Sequence, residues 1–569
     1  MKIKLLLIIF LVLSAFANAQ APGYMWAKSA QGTSWDYPYN MCKDPSGNNI
    51  ITGGFYSRTI TFGSYTLINK DSTGISEDFF VVKYDSSGNV VWAKSAGGNT
   101  DDAGEGVSTD AAGDIFVAGI FASDSITFGA ITLTNSATDG SDDAFIAKYD
   151  SSGNVIWVKR AGGTSYDACE GICVDASGNA IIVGWFQSPS ITFGSTTLIC
   201  STVYGNIFMA KYDPAGNVLW AKREAGDSYD YAYKVTSDAG KNIYVAGAFE
   251  SDSITLGATT LLLTAGSMAG TGDAFLAKYD SLGNVLWAKK GGGTDEDVAF
   301  GISLDPTGNV LITGTFASLT CTFGATPLVN SGSDDIFLVK YSSSGNLIWA
   351  KGLGGSGYEE VANLAIDASG NCFLAGQFSS PSLTFGSSTL TNTSTIGYSD
   401  VLVVKYDSSG NPLWAKNAGG ASSDYALGIT LDASGNPTVT GSFGSTTIVF
   451  GSTILTNAST GGDTTDIFIF KLGNLTGTME LENNNIIKIY PNPTNGVFNL
   501  VISNPTKPAR PAGGNTIIEI YNSLGALVLS KQTSTEQNTI ELTDQANGLY
   551  FVKVMSDNKI IATQKIMKQ

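Results

Sequence analysis

The sequence predicts an all-β fold, a seven-bladed β-propeller, and three observations carry that expectation. A tryptophan recurs seven times at a spacing of about 65 residues, at Trp26, Trp92, Trp157, Trp220, Trp287, Trp349 and Trp414. Eighteen residues after each stands an aspartate (Asp44, Asp110, Asp175, Asp238, Asp305, Asp367, Asp432), so the chain is an array of like units. The array also ends out of phase. It opens on YMWAK and its last copy stops at DIFIFK, so the first strand can complete the last unit. An open β-solenoid is the alternative, and it would leave both half-units with bare edges.

In chain order, the opening MKIKLLLIIFLVLSAFANA joins two lysines, an apolar run and the small-x-small site Ala17-Asn18-Ala19. It predicts a signal peptide over residues 1–19 and an exported mature chain. No later stretch approaches the roughly 20 apolar residues that span a bilayer, so no transmembrane segment is expected. The propeller is expected over 20–472. Within a unit, GEGVSTD, DIFVAGIF, DAFIAKYD and NVIWVK read as four strands, each short and rich in β-branched or aromatic residues. DAAGD and DSSGN join them pairwise as tight hairpins, in which Asp caps the turn and Gly accepts positive φ. SITFGAITLTN reads as an extra small hairpin turning at Gly129. Glycines nine residues after each Asp (Gly53, Gly119, Gly184, Gly247, Gly314, Gly376, Gly441) and phenylalanines two further on (Phe55, Phe121, Phe186, Phe249, Phe316, Phe378, Phe443) occur in all seven copies. Apolar residues on both faces, as in Val155, Ile156, Trp157 and Val158, imply sheets sandwiched between neighbours.

The repeat KYDSSGNVVWAK, followed by STDAAGDIFVAGIF, resembles the bacterial SBBP family, a seven-bladed β-propeller repeat, over roughly residues 24–472. The resemblance implies the fold and an extracellular setting, and it brings no catalytic residues.

Residues 473–485, GNLTGTMELENNN, are polar and aperiodic and read as a linker. Residues 486–569 alternate strands with Pro, Asn and Gly, enough for a small β-sandwich. YPNPTNG at 490–496, EIYNSLGALV at 519–528 and GLYFVKV at 548–554 resemble the type A sorting domain of the type IX secretion system of Bacteroidota. That resemblance implies passage across the outer membrane, removal of the domain, and release or attachment to surface lipopolysaccharide. The insertion at 503–515 departs from the pattern as a long loop.

The formal charge of -18 disfavours a nucleic-acid partner. The stretch from Met479 carries eight basic and seven acidic side chains, so nearly all the excess acid lies in the repeats. There is no histidine, which removes Ser-His-Asp and Cys-His catalysis and the commonest transition-metal ligand. Of the six cysteines, Cys42 and Cys173 occupy equivalent repeat positions and Cys200, Cys321 and Cys372 three unrelated slots, so all six read as buried thiols rather than bridges. Cys169 and Cys173, on one strand, stand roughly 13 Å apart.

An acid stands eight residues before each hairpin Asp: Asp36, Asp102, Asp167, Asp230, Asp297, Glu359 and Asp424. Two readings stand. The seven either cap turns and accept backbone N–H groups, or ring the mouth of a central channel and bind a hard cation such as Ca²⁺ or a polar ligand. Around them Trp35, Tyr37, Tyr39, Tyr166, Tyr229, Tyr231, Tyr233, Tyr358 and Tyr425 vary from unit to unit, and aromatic faces beside carboxylates suit sugar or peptide recognition. Paired lysines such as Lys148 and Lys159 recur with acids like Asp143, where the third copy has Asn206, and are expected to hold neighbouring blades by ion pairs. The propeller's three arginines, Arg58, Arg160 and Arg223, do not share one repeat slot, so a sialidase-like arginine cluster is not expected. Carboxylate pairs such as Asp101 with Asp102 keep acid-base chemistry as an alternative. The expected function is a monomeric, secreted or cell-surface binding and adhesion module for glycan or protein ligands, exported by the type IX machinery. The alternatives are a glycan-active enzyme and a purely structural surface component.

Overall fold

A computed structural model describes residues 21–71, 74–200, 204–224, 226–386, 388–459, 464–473, 487–502, 516–522, 526–556 and 559–569. The expected signal peptide at 1–19, most of the expected linker at 473–485 and the insertion at 503–515 lie outside the described residues. Among those residues every regular element is a strand. The chain divides into two compact units after Gly473.

The first unit contains seven four-stranded antiparallel sheets, the fourth of which is extended by the hairpin of the fifth repeat. The first sheet runs, from inner to outer strand, Asp36–Lys43, Asn49–Phe55, Asp78–Tyr84, Val90–Ala96. The inner strands of the next six are Asp102–Thr109, Asp167–Val174, Asp230–Ser237, Asp297–Leu304, Glu359–Ile366 and Asp424–Leu431. Each packs beside the next, and Asp424–Leu431 also packs beside Asp36–Lys43. In the seventh sheet the outer position is taken by Gly23–Ala30, antiparallel to Asp466–Gly473 from Gly23↔Gly473 to Ala30↔Ile467.

Second and third strands are buried on both faces, because one apolar core lies between each sheet and the next. The core of Ile467 and Ile469 with Met41, Phe55 and Phe80 does the same between the seventh sheet and the first. This is the reason for runs such as DAFIAKY, in which no position alternates with a polar residue.

The invariant glycines answer to a bulge. In all seven sheets the inner strand carries an extra residue, as between Pro38 and Asn40, and the strand beside it must come close there. A Cβ on Gly53 would collide with Tyr37 O, and one on Gly441 with Tyr425 O. The small hairpins form as read from sequence, that of the second sheet being Ser125–Phe128 with Ile131–Thr134, turning at Gly129 with φ 61°.

The recurrent tryptophan joins one sheet to the next. Trp92 Nε1 donates to Ser151 O at 3.3 Å in the following sheet's outer hairpin, and its ring leaves Gly153 no room for a Cβ. Trp157 with Pro214, Trp220 with Ser281 and Trp287 with Ser343 repeat the contact. The lysine expectation is corrected. Lys83 pairs with Asp44 at 2.9 Å, Lys148 with Asp114 at 3.0 Å and Lys211 with Asp175 at 2.8 Å, each within its own sheet, because the third strand lies beside that hairpin. Asp143 is instead met by Arg160 at 2.7 Å, again in the same sheet. What crosses is the lysine's second bond, such as Lys83 Nζ to Ser151 O at 3.1 Å. Replacing Trp92, 6% exposed, by alanine is therefore expected to destabilise the first unit by about 3–5 kcal/mol in a denaturant titration. A loss under about 1 kcal/mol, the size of an ordinary surface change, would contradict the joint.

No disulfide joins the six cysteines; Cys169, Cys173, Cys321 and Cys372 are buried, whereas Cys42 and Cys200 are only half-buried, which corrects the expectation for those two. The second unit has a three-stranded sheet (Ile487–Tyr490, Val497–Ile502, Gln537–Glu541) and a four-stranded one (Thr516–Asn522, Leu527–Thr533, Gly548–Ser556, Lys559–Lys568). Phe498 and Leu500 of the former share one core with Ile518, Val552 and Ile566 of the latter.

Candidate functional site

The seven repeated acids are wholly buried, with no exposed surface at Asp36, Asp102, Asp167, Asp230, Asp297, Glu359 or Asp424. Each stands at the start of an inner strand, where a serine from the end of the second strand meets it. Ser57 Oγ donates to Asp36 at 2.7 Å, Ser123 to Asp102 at 2.7 Å, Ser188 to Asp167 at 2.6 Å, Ser251 to Asp230 at 2.9 Å, Ser318 to Asp297 at 2.7 Å and Ser445 to Asp424 at 2.8 Å. Glu359 accepts Ser380 N at 3.0 Å and Gly355 N at 2.8 Å. Burial pushes Asp36 and Asp102 up to about 8 and Asp167, Asp297 and Asp424 up to about 7, against the lowering effect of those bonds. The placement at an open mouth is thus corrected. The acids lock strand ends through these bonds, Asp297 Oδ1 alone among their carboxylate oxygens being buried without a partner among the described residues, where also no three acidic or cysteine side chains gather to hold a metal.

The aromatic residues do collect at the same end of the sheets. Trp35, Tyr166 and Tyr358 are exposed, while Tyr37, Tyr229, Tyr231 and Tyr425 are half-buried. Tyr229, Tyr231 and Tyr233 stack in a ladder, 6.1 and 5.8 Å apart, because alternate residues of a strand share a face. Trp185 and Tyr204 set their edges against this ladder, and Phe300 of the fifth sheet meets Tyr233 at 5.4 Å. Across from it Tyr37 and Tyr39 stack at 6.3 Å, and Trp35 meets Tyr56 edge-on. Tyr358 donates to Glu360 at 2.9 Å. Tyr166 joins no ring cluster among the described residues.

Sequence reading missed the charged groups between these rings. The bulge sets one unpaired residue into each inner strand, and at that slot stand Tyr39, Glu105, Glu170, Tyr233, Phe300, Ala362 and Leu427. Trp185 Nε1 donates to Glu170 at 3.1 Å and Tyr39 to Glu77 at 3.1 Å. Lys234, next to a bulge, is half-buried beside Glu170 and Glu105. Burial first, then neighbouring carboxylates, raises Glu105 well above the usual range, Glu77 to about 8, Glu296 to about 7 and Asp142 to about 6. Burial lowers Lys234 while Glu170 and Glu105 oppose the shift. Below them Asn363 Nδ2 donates to Asn40 Oδ1 at 3.4 Å, from the sixth sheet to the first, and Asn40 Nδ2 to Glu105 O at 3.3 Å. This cluster of aromatic faces, carboxylates and the Asn40 and Asn363 amides around the inner strands is termed the cup. The available signal was the slot three residues after each repeated acid, whose residue type changes from copy to copy.

Comparison with known proteins adds the following. Residues 488–569 match the family model of the secretion system C-terminal sorting domain. An uncharacterized WD repeat-containing protein, L264 of Acanthamoeba polyphaga mimivirus, is 26% identical over 75% of this chain and 36% of its own length. The regulatory protein FlaEY of Caulobacter vibrioides is 27% identical over 18% of this chain and 11% of its own. The chain thus spans about a third of the first relative and about a tenth of the second. Among solved structures, the Neurospora crassa Pan2 WD40 domain is similar with TM-score 0.37 and 8% identity, over 80% of this chain and 98% of that one. PorZ, a surface component of the type IX secretion system of Porphyromonas gingivalis, is similar with TM-score 0.17 and 11% identity, over 95% and 100%. No helix among the described residues is long and apolar enough to cross a membrane. Residues 488–569 are a secretion system C-terminal sorting domain, and with it the chain is cargo of the type IX system, exported to the cell surface or the medium.

Proposed function

We propose that residues 20–472 form a closed seven-bladed β-propeller that binds a glycan or protein ligand outside the cell, as a monomeric, non-catalytic adhesion module. In this reading residues 1–19 are a signal peptide, 473–485 a linker and 486–569 the sorting domain. Ring closure is supported by the pairing of Gly23–Ala30 with Asp466–Gly473 and by the core between the seventh and first sheets. The observation that carries the binding role is the cup. Its framework of serine-locked acids repeats in every sheet, whereas Trp35, Tyr37, Tyr166, Tyr229, Tyr231, Tyr358 and Tyr425 are distributed unevenly over it. A fixed scaffold that varies at one concave aromatic face is how binding proteins obtain specificity. A non-enzymatic role is supported by the arginines, since Arg160 meets Asp143 at 2.7 Å and Arg223 meets Asn206 at 3.3 Å within their own sheets.

Screening the full chain on glycan and peptide arrays is the test. Binding without turnover is expected, weakened about 10-fold or more by Tyr231→Ala, as for an aromatic anchor. Release of product would make it an enzyme, and silence on both arrays would make it a structural component.

A further inference from the structure

We propose that the cup binds an organic cation carried on an extended chain, the lysine or arginine side chain of a basic polypeptide. The inference rests on the cup being the ligand-binding surface and narrows what it binds.

Elsewhere this chain neutralises its enclosed acids from within. The seven third-strand lysines, from Lys83 to Lys471, each meet a hairpin aspartate, and Arg160 and Lys290 serve Asp143 and Asp273. At the cup it does so only in part, through Lys234 beside Glu105 and Glu170. Among the described residues no ion pair reaches Glu77, Glu105, Glu170 or Glu296, although each feels at least one neighbouring charge. An enclosed carboxylate without a counter-charge is costly, and a positive guest would relieve several at once.

Lys234 shows what the site accommodates. It makes no hydrogen bond or ion pair among the described residues, yet it stands with its charge facing Glu170 and Glu105. The fold has thus set one ammonium group beside Glu105 and Glu170, while among the described residues Glu77, Glu170 and Glu296 otherwise accept only from uncharged donors, Tyr39, Trp185 and Gly272 N. The parallel faces of Tyr229, Tyr231 and Tyr233 add a second attraction, since the negative face of an aromatic ring draws a cation within about 6 Å.

Spacing decides the kind of cation. Among the described residues no three carboxylates converge closely enough to coordinate a metal ion, so the charges suit a diffuse group such as guanidinium, or an ammonium on an apolar stem that lies along the rings. An anionic chain would meet repulsion, and a neutral sugar could donate hydroxyl hydrogen bonds to the carboxylates but would bring no counter-charge.

Calorimetry on the full chain tests this with an arginine-rich decapeptide, a glutamate-rich one, a neutral oligosaccharide and spermine. The basic peptide is expected to bind and the acidic one not to. Affinity should fall about 10-fold or more in the isosteric Glu105→Gln/Glu170→Gln double variant and in Tyr231→Ala, and stay unchanged in Asp85→Asn at the far end of the sheets. Melting curves verify that each variant is folded. Equal binding by wild type and the double variant would mean unspecific attraction to an acidic protein and would overturn the proposal, as would no binding. Spermine binding as tightly as the peptide would overturn the polypeptide as its source. If only the oligosaccharide binds and Tyr231→Ala abolishes it, the cup remains a ligand site and the cation inference alone fails. If nothing binds, both fail.

Discussion

Deleting residues 23–30 is expected to remove the single cooperative melting transition of the first unit, at a cost above about 5 kcal/mol, the scale of an entire domain's stability. The strand satisfies the backbone edge of Asp466–Gly473 over its whole length. Its side chains reach further. Tyr24 meets Phe450 and Phe470 edge-on at 5.5 and 5.4 Å, and Lys416 of the sixth sheet lies over its ring at 4.4 Å. Trp26 occupies the space in which a Cβ on Gly88 of the first sheet would sit. One strand therefore ties the sixth, seventh and first sheets together, and no neighbouring segment can replace it. Its loss leaves an apolar sheet with an unpaired edge, a template for aggregation. Calorimetry with size-exclusion chromatography checks the result, and a synthetic peptide of residues 21–31 added in trans should restore part of the transition by binding only the folded form. Unchanged melting of the truncated chain would refute the strand's closing role.

That strand was legible because the repeat phase at the two ends demands a partner for each. The tryptophan, aspartate, glycine and phenylalanine columns were legible for the same reason, each holding one position of the repeated unit. The column of seven acids left two readings open, and burial at all seven positions takes them away from an open mouth. The seven acids are constant because each must accept a serine inside its own sheet, and that serine stands 21 residues later in every copy, from Ser57 to Ser445, in plain view. Glu105 and Glu170 escaped notice because strand alternation puts every second side chain toward one side, and the bulge shifts that phase by one residue. Bulges of this kind carry no residue signature in these seven copies beyond the glycine opposite. The direction of the lysine pairs was likewise out of reach, since spacing along a chain does not say which of two flanking sheets a side chain meets.

The serine-locked acids give the chain an unusual pH profile. Burial raises Asp36, Asp102, Asp167, Asp230, Asp297 and Asp424 to between about 6 and about 8, whereas unfolding returns each to the ordinary range near 4. The folded state therefore holds protons that the unfolded state releases. Their contribution is complete below about pH 4 and is lost as pH rises through the folded values. The serine can accommodate the proton, because Ser123 Oγ also reaches Thr100 O at 3.1 Å and can accept from a protonated Asp102 while donating there. Asp44, Asp175, Asp367 and Asp432 act oppositely. Hydrogen bonds to asparagines and lysines outweigh their burial and hold them low, so their contribution is lost as pH falls below the ordinary carboxylate range. Stability is thus expected to peak near about pH 5 and to decline by a few kcal/mol toward about pH 8. Changing Asp102, Asp167 and Asp230 together to Asn should flatten that decline, because an amide can donate to the serine as the protonated acid does and cannot ionise. Calcium should move the melting temperature of neither protein. A wild type that grows more stable from pH 5 to pH 8, or a calcium-induced rise that the triple variant abolishes, would return these acids to the role of a cation site.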